Sequence, residues 1–130
     1  MIEPARGGRT KISDDDYIEG GPELIAEFSA STVSIDLHEK LRAYRRNGVQ
    51  EYIVHRVNDR EIDWFVLRHG DYQRLPLDGD GLQKSVVFPG LWLDPAAMVR
   101  GDLAGVLQAL DQGLATAEHA AFVEKLRAAV

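Results

Sequence analysis

The 130-residue chain contains no cysteine, which excludes disulfides, zinc–thiolate sites and thiol nucleophiles. It has no apolar run approaching the roughly 20 residues that a membrane-spanning helix needs. Its start, Met1-Ile2-Glu3-Pro4-Ala5-Arg6-Gly7-Gly8-Arg9-Thr10, lacks the apolar core of a secretory signal, so a cytoplasmic location is the expectation. Basic residues are in deficit: 15 Lys and Arg stand against 21 Asp and Glu, for a net charge of −6 and a pI near 5.1. Proteins that coat nucleic acid by bulk electrostatics carry the opposite balance. An acidic metal site with local basic residues remains compatible with it. Neither Gly7-Gly8 nor Gly20-Gly21 is followed by Gly-Lys-Ser or Gly-Lys-Thr, so there is no P-loop. His38, His55, His69 and His119 have no metal-ligand spacing to one another or to a nearby carboxylate. His38 reads as a solvated helix residue. His55, alternating with Val54 and Val57, reads as a strand residue that faces either the surface or a site. Ser29, Ser31 and Ser34 have no general base nearby, which argues against a serine nucleophile.

What is present is an ordinary globular balance, 45% hydrophobic and 28% charged. The length suits one domain over residues 1–130 with one core. Residues 1–21 read mostly as loop, with Asp14-Asp15-Asp16 in the middle and a short strand around Arg9–Ile12. Leu24 to Phe28 reads as a buried strand after the Gly20-Gly21-Pro22 punctuation. A polar turn from Ser29 to Ser34 leads to Asp36, which with Glu39 makes a capping-box-like helix start. Leu37, Leu41 and Tyr44 then repeat on one helix face, and Gly48 suits a left-handed helix stop. Glu51–Val57, Ile62–Arg68 and Tyr72–Leu75 read as strands joined by tight turns at Asn58–Arg60 and His69–Asp71. Gln83–Phe88 reads as a further short strand, and Pro89–Pro95 as a structured loop that buries an aromatic. Asp102 caps a helix with Leu103, Val106, Leu107 and Leu110 on one face, ended by Gly113. Thr116 caps the last helix, whose apolar residues are Phe122, Val123 and Leu126. The expected fold is α/β: a mixed sheet built from a strand–helix–strand unit and an antiparallel meander, followed by C-terminal helices.

The chemistry concentrates on the first long strand. Side chains alternate faces, so Glu23, Ile25, Glu27 and Ser29 share one and Leu24, Ala26 and Phe28 the other. Glu27 projects from an apolar strand near its C-terminal end, where α/β folds collect their sites. Ser29 lies roughly 6–7 Å further along the same face. Glu23, roughly 13 Å from Glu27 along the strand, is too far to share a metal ion with it, so a second carboxylate must come from another element. Lys40 borders the inward face of the next helix, and its long stem can carry the ammonium back toward Glu27. Carboxylate, hydroxyl and ammonium together suit a Mg²⁺ ion and a phosphate: the acid ligates the metal and the lysine stabilises charge on a phosphoryl oxygen. The plainer reading of the same residues is an ion pair of Glu27 with Lys40, Arg42 or Arg45.

Glu27-Phe28-Ser29-Ala30-Ser31-Thr32, with Asp36, Lys40, Tyr44 and Gly48-Val49-Gln50-Glu51-Tyr52, resembles the Uma family of restriction endonucleases. Ile62-Asp63-Trp64-Phe65, Phe88-Pro89-Gly90-Leu91-Trp92-Leu93, and Gly113-Leu114 with Glu118-His119 are similar to one subgroup of it. The resemblance spans about residues 2 to 127 and implies a restriction-endonuclease-like core. It further implies a metal-dependent nuclease acting on DNA, with Glu27 as the metal-binding acid and Ser29 in the position that lysine holds elsewhere in the superfamily. Lys40 is then the relocated lysine. The family's opening Pro-Asp pair has no counterpart in this chain. Its place would fall before Met1, so the chain resembles an N-terminally truncated domain, with Asp14, Asp15 or Asp16 as conceivable substitutes. An alternative expectation follows from that gap. It is a non-catalytic, homodimerising module that uses the Trp64 strand, the loop around Trp92 and the last two helices. Lys40, Arg42, Arg45, Arg46 and Arg56 form a basic cluster that could steer a phosphate backbone or simply balance neighbouring acids. Trp64 and Trp92 read as anchors rather than base-stacking platforms.

Overall fold

The computed structural model describes residues 11–12, 18–19, 22–30 and 37–128. Asp14–Asp16 and the turn and cap at 31–36 lie outside them. Two short strands, β1 (Lys11–Ile12) and β2 (Ile18–Glu19), pair antiparallel. The main sheet follows: β3 (Leu24–Ser29), then helix α1 (Leu37–Arg46), β4 (Glu51–Arg56), β5 (Glu61–Arg68) and β6 (Asp71–Arg74), in the spatial order β3-β4-β5-β6. β3 and β4 pair directly and in parallel across the α1 crossover, and β4-β5-β6 is an antiparallel meander. The sheet is therefore mixed, as the sequence pattern predicts.

One face of the sheet carries Ile25, Tyr52, Val54 and Phe65, and α1 lays Leu37, Leu41 and Tyr44 over it, with Tyr72 at the side. Aromatic rings run across this layer. Tyr44 meets Tyr52 edge-on at 4.9 Å, Tyr52 stacks on Phe65 at 6.2 Å, and Phe65 meets Tyr72 edge-on at 6.5 Å. Such pairs add about 0.5–1.5 kcal/mol each beyond burial. Gly48 takes φ of +69°, the left-handed stop expected after α1.

The opposite face carries Glu51, Ile53, His55, Ile62 and Trp64, and the C-terminal part of the chain closes over it. The fully buried Glu51 organises that closure. It accepts hydrogen bonds from Trp64 Nε1 (3.2 Å), from the Ser85 hydroxyl and from the backbone N–H groups of Val86 (3.1 Å) and Val87 (3.3 Å). Those bonds turn the backbone inward after Lys84. The expected strand over 83–88 is accordingly only two residues, β7 (Gln83–Lys84), paired with β8 (Trp92–Leu93). A short helix, α2 (Pro95–Val99), was not foreseen. Asp94 caps it by accepting from Ala97 N, with Pro95 in the first turn.

Asp102 caps α3 (Leu103–Leu114) as expected, accepting from Gly105 N at 3.1 Å. Thr116 caps α4 (Ala117–Ala128), its hydroxyl accepting from His119 N at 3.2 Å. The buried face of α3 differs from the expected one. Leu103 and Leu107 are exposed, at 68% and 48%, while Ala109 and Gly113 are buried. Gly113 does not end the helix; it lies inside α3, under the Trp92 ring and the Gly90 carbonyl. Across the same contact His119 Nδ1 donates to the Pro89 carbonyl at 2.9 Å, and Phe88 meets Phe122 edge-on. Gly90, at φ +101°, has no room for a side chain, because a Cβ there would stand 2.7 Å from that of His119. The motifs Phe88–Leu93 and Gly113…His119 are thus two halves of one packed joint. No helix among the described residues is long and apolar enough to cross a membrane.

Candidate active site

Glu27 lies on β3 opposite Val54, on the face covered by α1. Its carboxylate gathers three donors. Lys40 Nζ is 2.8 Å from Oε2, the Tyr44 hydroxyl 2.5 Å from Oε1 and the Tyr52 hydroxyl 3.1 Å from Oε2. The local logic is simple. Lys40 and Tyr44 are four apart on α1 and so share a helix face. Tyr52 opens the adjacent strand, on the same sheet face as Ile25 beside it. Burial alone would raise the Glu27 pKa. The hydrogen bonds from Lys40, Tyr44 and Tyr52, with the charge of Lys40, outweigh it and hold the carboxyl below its ordinary range. Burial and the bonded carboxylate push the Tyr44 phenol up to about 12, and the same causes raise Tyr52. At neutral pH the cluster is one carboxylate, one ammonium and two phenols that stay protonated and donate.

Of the residues singled out from sequence, the fold brings Glu27 and Lys40 together. Ser29 is buried two residues along the same strand, its carbonyl accepting from Val57 N at 2.8 Å. Among the described residues no hydrogen bond joins it to Glu27 or Lys40. His55 faces away from Glu27, on the other side of the sheet, where it lines an apolar cavity of about 250 Å³ with Phe28, Ile62, Trp64 and Trp92. The basic cluster disperses. Arg45 pairs with Asp71. Arg56 belongs to a separate network with Asp59, Glu61 and Asp63. Trp64, 2% exposed, is an anchor as expected, and its strand β5 is paired on both sides. It therefore offers no edge or face to a second copy, contrary to the expectation for a dimerising module.

Tyr44 and Tyr52 as partners of Glu27, and Asp63 as a further acid, escaped the sequence reading. The spacing of Tyr44 from Lys40 was the available signal for the first, and nothing local could reveal Tyr52. Asp63 is on the same sheet face and in the same cross-strand row as Glu27, with Val54 between them. Two strand spacings separate them by roughly 10 Å. Asp63 is buried and accepts from Arg56 Nε (2.7 Å) and Arg74 Nη1 (2.5 Å). Burial alone would raise it; those two guanidinium groups hold it ionised.

The restriction-endonuclease-like class typically uses divalent metal ions. The described side chains do not, as they stand, fit one. No group of three or more His, Asp or Glu among them could hold a metal ion. Glu27 is the lone carboxylate of its cluster, and both its oxygens already accept from donors. A hard cation needs several oxygen ligands.

A parallel strand–helix–strand unit with an antiparallel meander beside it, closed by C-terminal helices, is a mixed α/β fold consistent with the restriction-endonuclease-like class. Residues 2–96 match the family model of Uma2, described as putative restriction endonuclease, and the chain belongs to that family. Helices α3 and α4 lie beyond the matched residues. A search of curated proteins finds no match.

Proposed function

We propose that the chain is one nuclease-type domain that acts on DNA phosphodiesters at the C-terminal end of β3, with Glu27, Lys40 and Ser29 as its centre. The observation that carries this reading is the 2.8 Å pairing of Lys40 with Glu27, at the strand end and in a chain of this family. Lys40 spends one of its three donors on Glu27, and its side chain is 37% exposed, so a phosphate oxygen can take another. An ammonium so placed stabilises charge developing on a phosphoryl oxygen. The ionised Glu27 can orient a water or accept its proton, held in one rotamer by Tyr44 and Tyr52. Mg²⁺ is the ion this class leads one to test, and its binding calls for carboxylates beyond those described around Glu27. A second reading, a non-catalytic module of nuclease ancestry in the cytoplasm, is favoured by the fully occupied oxygens of Glu27.

The test is cleavage of plasmid and linear DNA by the purified chain, with and without Mg²⁺, beside Glu27→Gln, Lys40→Met and Ser29→Ala. The nuclease reading expects loss of at least about a hundredfold in the first two variants, the scale of removing one transition-state electrostatic group. Equal cleavage by Glu27→Gln removes the site assignment. No cleavage by the wild type together with no Mg²⁺ binding in calorimetry supports the second reading.

A further inference from the structure

β3 ends the sheet: among the described residues nothing pairs with its other edge. The Glu23 and Ser29 carbonyls accept from Glu51 N and Val57 N on β4, so odd-numbered residues direct their backbone groups inward. Leu24, Ala26 and Phe28 therefore direct theirs outward, to the open edge. The edge is apolar and unprotected: Phe28 is 74% exposed, and the exposed Ala26 carries no charge and no bulk. Natural edge strands are usually blunted by lysine, proline or a bulge, and this one is not. The apolar cavity on the far face reaches the same edge, since Ala26 and Phe28 help line it.

We infer that this edge is an interface between two copies of the chain, joined antiparallel about a two-fold axis at Ala26. Charge selects the register. Outward-directed residues must face one another, which leaves axes at residues of either parity only if even-numbered positions stay opposed. Centring the pair on Glu27 sets the two Glu27 side chains directly opposite, and centring it on Ile25 sets Glu23 opposite Glu27. Like charges in those positions are destabilising. Centring on Ala26 sets Leu24 against Phe28 of the second copy and Ile25 against its Glu27, with alanine, the smallest side chain of the strand, on the axis. This pairing covers Phe28 and the cavity mouth and makes one continuous sheet of two chains. It also brings the second copy's Glu27 diagonally across, about 7–8 Å away on the same face. Each active centre would then border a second acid that one chain lacks. That last consequence rests on the nuclease reading; the interface itself does not.

The cysteine-free chain makes the interface directly readable. A hydrogen-bonded antiparallel pair has Cα atoms about 5.5 Å apart, within disulfide range. Ala26→Cys should therefore oxidise to a covalent dimer. Leu24→Cys should not, because its two copies would be roughly 14 Å apart along the strands. Sedimentation of the wild type should show a dimer that Phe28→Lys, a change at an exposed position, converts to monomer without altering the far-ultraviolet circular dichroism. A wild type that is monomeric up to several hundred micromolar overturns the inference. So does cross-linking of Leu24→Cys as fast as Ala26→Cys, or a dimer that survives Phe28→Lys and is lost in Leu107→Glu on the exposed stripe of α3. These readouts need no cleavage, so they fail or succeed separately from the nuclease assay.

Discussion

Gly113→Ala tests the joint between the C-terminal helices and the sheet, and it does so by sign. Gly113 lies inside α3 with ordinary helical backbone, its φ not among the positive ones. On helix propensity alone, alanine there should stabilise the chain by about 1 kcal/mol. The packing says the reverse. An added Cβ would press on the Gly90 carbonyl oxygen and stand 2.7 Å from Trp92 Cγ and 2.9 Å from Trp92 Cδ2. Both neighbours are held. The Gly90 loop is tied through Pro89 to His119, and Trp92 lies under Lys84, whose Nζ is 4.2 Å from the ring centroid. Relief requires α3 to move or the Trp92 ring to leave its place. Overpacking of that kind costs roughly 1–3 kcal/mol, enough to override the propensity gain. For a domain of this size each kcal/mol lowers the melting temperature by roughly 3–6 °C, so a drop of roughly 5–15 °C is expected. Thermal unfolding by circular dichroism measures it, and Trp92 fluorescence should shift with it. A melting temperature unchanged or raised would falsify the packing argument and restore Gly113 to the role of a simple helix terminator.

Four further outcomes follow from the polar networks. Asp63→Ala leaves Arg56 and Arg74 without their shared buried carboxylate and should cost about 3–5 kcal/mol in urea unfolding; a loss under 1 kcal/mol would show that Asp59 and Glu61 replace it. The depressed pKa of Glu27 stabilises the fold above its unfolded value of about 4.3, and that stability is lost as pH falls through the lower folded value. Glu27→Gln should therefore flatten the acid limb of stability below about pH 4, and an unchanged limb would assign it to other acids. At the alkaline end the Tyr44 phenol, raised to about 12, contributes stability that is complete below about pH 10 and lost as pH climbs to its folded value; Tyr44→Phe should remove that part of the decline, read by Tyr absorbance and circular dichroism together. Asp102→Ala removes the α3 cap and should cost about 1 kcal/mol, with equal denaturation midpoints counting against the cap.

Much of the fold was legible because its signals are local. The strand at Leu24, the helix phase of Leu37, Leu41 and Tyr44, the meander from Glu51 to Arg74 and the caps at Asp102 and Thr116 all follow from period, turn residues and capping chemistry acting over a few positions. Strand parity put Glu27 and Ser29 on one face, and helix phase put Lys40 in reach of Glu27. The short β7 was misread because Ser85 to Phe88 has strand composition, whereas the buried Glu51, more than thirty positions away, commands its backbone donors. Gly113 was misread as punctuation for a similar reason: what crowds it is Trp92, from a different element.

The sequence by itself determined the acid–lysine pair, since a two-residue period and a 3.6-residue period suffice to aim both side chains at one place. Tertiary structure alone decided what surrounds that pair. The parallel register of β3 on β4 delivers the Tyr52 hydroxyl to Glu27. The antiparallel register of β5 turns Asp63 to the same face but leaves it to two arginines. The order of strands leaves the far edge of β3 open. Those outcomes depend on which strand lies beside which, and strand pairing is set by the burial of the whole sheet between α1 and the C-terminal helices, not by any stretch of residues read alone.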